Sequence, residues 1–156
     1  MVGYSMPSMA HMVSESQRRN SGSAGLFYSA LAAGQSRTFW AALTRRPRGL
    51  RPLAAGAARG QGGHSAGRRL VEIADIRGSE GRTKDFDDQF HPLSGATRQR
   101  WQSVAAALDA GVRLPPVQLI QVGQDYYVRD GHHRISVART LGQDAIEAEV
   151  TVWAKA

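Results

Sequence analysis

The sequence predicts a small α/β or α+β domain over residues 70–156, preceded by a basic, largely disordered region over residues 1–69 with one short helix near 36–46. Three observations predict it. Charge is segregated: residues 1–69 hold ten arginines against one glutamate, +9, and residues 70–156 hold ten basic against twelve acidic residues, −2. Composition changes at the same point, from Ser, Gly, Ala and Arg to apolar runs with strand or helix period. The total length of 156 residues fits one domain with a modest core.

Within the first region, "SRTFWAALTRR" offers Ser36 as a cap and places Phe39, Trp40 and Leu43 on one side of a short helix. The stretch "PRGLRPLAAGAARGQGGHSAGRR" reads as a flexible linker. From Leu70, "LVEIADI" predicts a strand with Val71 and Ile73 on one face, and "GSEGRTKDFDDQFHPLSG" a polar loop. In "TRQRWQSVAAALDAG", Trp101, Val104, Ala105 and Leu108 recur at helical spacing and Gly111 supplies the stop. Pro115 and Pro116 precede a strand, a turn at Gly123-Gln124 and a second strand, since proline cannot donate to a ladder. "HHRISVARTLG" predicts a helix with Ile135, Ala138 and Leu141 inward, and "AIEAEVTVW" a closing strand with Ile146, Ala148, Val150 and Val152 on one face.

The chain has no cysteine, which excludes disulfides, thiolate metal sites and cysteine catalysis. A cytoplasmic location is the expectation. No apolar run is long enough to span a bilayer, so no membrane partner is expected.

The strongest local signal is the strand-to-helix corner Asp130-Gly131-His132-His133-Arg134. The first turn of a helix has unpaired N–H groups and a partial positive charge, so phosphate binds there readily. Gly131 permits a tight turn and close approach of a ligand. Arg134 can fork onto phosphate oxygens. Of His132 and His133, which point in different directions, one is expected to face the ligand. Asp130 can cap the helix, position a hydroxyl or hold a hydrated Mg2+. A protein metal site is not expected, because consecutive histidines diverge and no other ligand spacing supports one.

The stretch "LPPVQLIQVGQDYYVRDGHHRISVARTLGQDAIEAEV" resembles the core of the ParB/sulfiredoxin superfamily, and the likeness covers residues 70–153. It implies an α+β fold, a small mixed sheet with helices. Gly131, His133 and Arg134 match the Gly-Cys-His-Arg corner of sulfiredoxins, but His132 stands at the cysteine position, which rules out their thiol chemistry. Gly131 and Arg134 match the triphosphate-binding Gly-Glu-Arg-Arg corner of CTP-binding ParB proteins. No helix-turn-helix follows the last strand here, so sequence-specific DNA reading is not expected.

The likeness is greatest to a branch with an Asp-Gly-His-His-Arg corner that includes free-serine kinases. It implies a nucleotide site of Gly131, His132, His133 and Arg134; in the preceding loop, Arg82 can clamp a carboxylate or a phosphate, and Ser79 can donate to the ligand or shape the loop. It further implies Glu80 as the base that takes a proton from a substrate hydroxyl; for phosphoryl transfer Asp130, as the second catalytic residue, is expected to fix the metal or the acceptor. ATP, ADP or CTP would be the nucleotide, with Mg2+ as its ion and a small hydroxylated molecule such as an amino acid as acceptor. Two other readings stand beside this phosphotransferase. One is a non-catalytic nucleotide-binding module. The other is a ParB-like DNA-associated or nuclease-like protein whose +9 region touches nucleic acid without sequence preference.

Overall fold

The computed structural model of the chain describes residues 9–53 and 63–154, with side-chain surroundings from residue 22 onward. Among the described residues the elements run α1 (Met9–Thr44), β1 (Arg51–Pro52), β2 (His64–Glu72), β3 (Ile76–Ser79), α2 (Arg98–Asp109), β4 (Val117–Val122), β5 (Asp125–Asp130), α3 (His132–Thr140) and β6 (Ala145–Trp153). The fold is α+β with one six-stranded mixed sheet in the order β1-β3-β5-β4-β6-β2. β3–β5 and β4–β6 are parallel, whereas β5–β4 and β6–β2 are antiparallel. No helix of the described residues is long and apolar enough to cross a membrane.

The central strands bury Val117, Leu119, Val128, Ala148 and Val150 against Ile135 and Ala138 of α3, with Phe86 and Phe90 of the long loop closing the same core. A second core joins the helices: Phe27 and Ala30 of α1 meet Trp101 and Ala105 of α2 and Val137 of α3. Trp101 is fully buried and donates its indole N–H to Ser136 Oγ at 2.9 Å, so both polar atoms enter the interior paired.

The expected boundary at residue 70 requires correction. β2 begins at His64, and β1, at Arg51–Pro52, pairs with β3 at the sheet edge. In place of a short helix near 36–46, α1 covers 36 residues. Its inward stripe of Phe27, Ala30, Gly34 and Ala41 is mostly small residues, which composition counts as low-complexity but packing uses for close approach. A Cβ on Gly34 would lie 2.6 Å from the Pro92 carbonyl oxygen, so glycine lets α1 sit against that loop. Part of the expected linker, residues 54–62, lies outside the described residues.

Two smaller expectations also change. "LVEIADIRGS" folds as the end of β2, a 3-10 turn over Ile73–Asp75 and the extra strand β3, so a strand occupies the start of the expected loop. Leu141, expected inward, is 45% exposed, because α3 ends at Thr140 and the chain turns away through Gly142 at φ 79°.

Candidate functional site

β5 carries Asp130 to the corner, and Gly131 opens α3 at φ 105° and ψ 18°, the left-handed region that favours glycine. A Cβ there would fall 2.5 Å from Val117 Cγ1, so packing against β4 also requires glycine. Asp130 does not cap the helix. Instead it accepts from Arg134 at 2.6 Å, one helical turn on, with its side chain 66% exposed.

The corner divides the expected residues into two groups. Arg134 donates to the backbone carbonyls of Pro115 and Pro116 as well as to Asp130, so its guanidinium is engaged in holding the approach to β4. His132 and His133 turn the other way, toward the loop after β3, where Phe86 stacks on His132 at 6.1 Å and meets His133 edge-on at 5.4 Å.

His132 is buried and lies 2.6 Å from Ser79 Oγ through Nε2. Burial, with the nearby Arg82 and His133 charges, pushes its pKa down to about 4, so the ring is neutral at physiological pH. Ser79 is itself fully buried, accepts from the Gly81 N–H at 3.1 Å and lies 3.3 Å from the Val128 carbonyl. Its one proton goes to His132 when the imidazole hydrogen is on Nδ1, and to Val128 when it is on Nε2. Either way the pair ties β3, β5 and α3 together, and Ser79 positions the corner from within.

His133 stands differently. Its Nε2 is buried and has no hydrogen-bond partner among the described residues. The ring lines a cavity of about 340 Å³ with Arg82, Asp85, Ala96, Thr97, Gln99 and Arg100. Burial first, then the Arg82 and Arg100 charges, lower its pKa, so this imidazole too is disfavoured as a cation in the free protein. Arg82 pairs with Asp85 at 3.2 Å, whereas Arg100 has no ion-pair partner among the described residues. The cavity also meets the start of α2, where no acidic residue occupies the first turn. Helices favour carboxylates there, so a first turn carrying Arg98 and Arg100 concentrates positive potential. Arg100 and Thr97 escaped the sequence reading, and that unusual first turn was the available signal.

Glu80 does not line this cavity. Its carboxylate accepts from Arg129 Nε at 3.1 Å, and Arg129 lies over the Trp153 ring at 5.4 Å. No group of three metal-binding side chains occurs among the described residues.

No family model and no curated protein matches the chain. Among solved structures, sulfiredoxin from Arabidopsis thaliana is similar at 18% sequence identity and a TM-score of 0.43, over 56% of this chain and 86% of that one.

Proposed function

We propose that the chain binds the phosphates of a nucleotide, ATP, ADP or CTP, in the cavity bounded by Arg82, Thr97, Arg100 and His133. The observation that carries the reading is a cavity whose wall joins His133, its buried Nε2 without a hydrogen-bond partner among the described residues, to the Arg100 guanidinium, which has no ion-pair partner among them. An unsatisfied buried polar atom is costly, and an anionic oxygen would satisfy it while neutralising Arg100. The first-turn N–H groups of α2 add partial positive charge on the same side. Asp85, the only carboxylate on the wall among the described residues, is already offset by Arg82. A Mg2+ ion would arrive on the phosphates with its own waters.

Binding alone is proposed, since the expected base Glu80 is held by Arg129 and does not line the cavity. Calorimetric titration with ATP, ADP, CTP and inorganic tripolyphosphate tests the reading. Arg100→Ala and His133→Ala should each weaken binding about tenfold or more, the scale of one lost charge-assisted hydrogen bond. Arg134→Ala should lower thermal stability instead, because its partners are Pro115, Pro116 and Asp130. Absence of binding by the wild type, or undiminished binding in Arg100→Ala, would overturn it.

A further inference from the structure

The outer side of α1 poses a separate problem. Phe39, Trp40 and Leu43 are 67%, 58% and 66% exposed, three large apolar side chains within one turn and a half of helix. Phe39 and Trp40 meet edge to face at 6.0 Å. The stripe of Phe27, Ala30, Gly34 and Ala41 faces the core. At 100° per residue, Phe39 and Leu43 fall on the side opposite that stripe. The apolar group is therefore a convex knob on a helix already anchored by its other face.

Basic charge adjoins the knob. Three arginines, Arg45, Arg46 and Arg48, follow directly, and none has a carboxylate partner among the described residues. Across residues 17–71 the sequence holds ten arginines and no aspartate or glutamate, so no acid of the segment neutralises them.

We infer that this end of α1 docks on an anionic lipid surface, with Phe39, Trp40 and Leu43 in the interfacial layer and Arg45, Arg46 and Arg48 against the headgroups. Charge complementarity and shape select this occupant. Arg37 and Arg68 of the segment pair with acids of the domain, whereas Arg45, Arg46 and Arg48 are left to a negative partner from outside, and a convex aromatic-aliphatic knob suits a layer that deforms around it. Single-stranded nucleic acid would call for a groove with flat rings open to stacking, whereas Phe39 and Trp40 pack against each other on the outside of a helix. The length needed to span a bilayer is irrelevant to a helix that lies on its surface.

The test is co-sedimentation of the full chain with vesicles of phosphatidylcholine, and with vesicles of phosphatidylcholine plus phosphatidylglycerol. Binding is expected only with the anionic lipid, and raised salt should reverse it. Phe39→Ser with Trp40→Ser should reduce binding tenfold or more, and Arg45→Gln with Arg46→Gln about fivefold for each guanidinium removed. Exposed positions make both pairs compatible with folding, checked by an unchanged circular dichroism melt. No binding to anionic vesicles, equal binding to neutral ones, or undiminished binding by the Phe39/Trp40 variant would overturn the inference. Trp40-dependent binding to oligothymidylate without vesicle binding would overturn it in favour of nucleic acid.

Discussion

His132 and His133 are neighbours in sequence with opposite employments. His132 is a satisfied interior ring, and its pKa of about 4 against an ordinary 6.5 makes it a pH-dependent liability. The unfolded chain binds its proton near pH 6.5 and the folded chain only near 4, so stability is full above that window and falls as pH drops through it. The shift corresponds to about 3 kcal/mol, and His132→Gln should flatten denaturant-derived stability between neutral pH and about pH 4. An unchanged slope would mean that His132 is not the group responsible. His133, in the proposed phosphate site, should do the reverse on binding. An anion beside Nε2 favours the imidazolium, so binding should take up a proton and tighten as pH falls. Calorimetry in buffers of different ionisation enthalpy would measure that uptake, which His133→Ala should abolish.

α1 ends by a device that can be read atom by atom. The Arg46 N–H reaches the Ala41 carbonyl at 3.1 Å and the Arg45 N–H the Ala42 carbonyl at 3.4 Å, with Arg45 at φ 53°. This is a Schellman motif whose left-handed position, usually glycine, is held by arginine. Arg45→Gly should raise stability by about 1 kcal/mol in chemical denaturation, and a loss instead would show that Arg45 contributes a contact worth more than its strain. Gly34→Ala should cost about 1–3 kcal/mol, because its Cβ would strike the Pro92 carbonyl and a backbone atom cannot swing aside.

The same helix shows why legibility was uneven. α2, β4, β5, α3 and β6 were readable because Trp101, the Pro115-Pro116 pair, Gly123 and the alternating 146–152 run signal period and turns locally. The length of α1 was not, because its buried stripe is largely Ala and Gly and depends on the distant Trp101 and Pro92. At the site, Gly131 and the two histidines stood out as a corner. The direction of Arg134 and the arrival of Arg100 depend on packing between elements, which local pattern does not encode.

At the scale of the whole molecule, the two charge blocks of the sequence are partly folded onto each other. Arg68 of the basic block meets Glu149 on the neighbouring strand, and Arg37 of α1 reaches Asp87 at 2.8 Å and Asp88 at 2.7 Å in the loop. Asp87 is 1% exposed. Burial alone would raise its pKa, but hydrogen bonds from the His91 ring and backbone and from Arg37 outweigh it and hold the carboxyl below its ordinary value. Asp87 therefore stays charged and fixes the C-terminal half of α1 to the loop that carries Phe86 and Phe90 into the core.

Asp87→Asn removes the charge and the acceptor that faces Arg37, while the amide oxygen can still accept from the Gln89 and His91 N–H groups. Removing one member of a buried ion pair should cost about 3 kcal/mol. Hydrogen exchange should locate the loss. Amides of α1 near Arg37 should lose protection before those of β4 and β6, because the side-chain hydrogen bonds of Asp87 run to Arg37 of α1 and to the loop itself. An equal fall in both would mean that helix and sheet open as one cooperative unit. No fall in either would remove Asp87 as the anchor that makes the basic segment part of the fold.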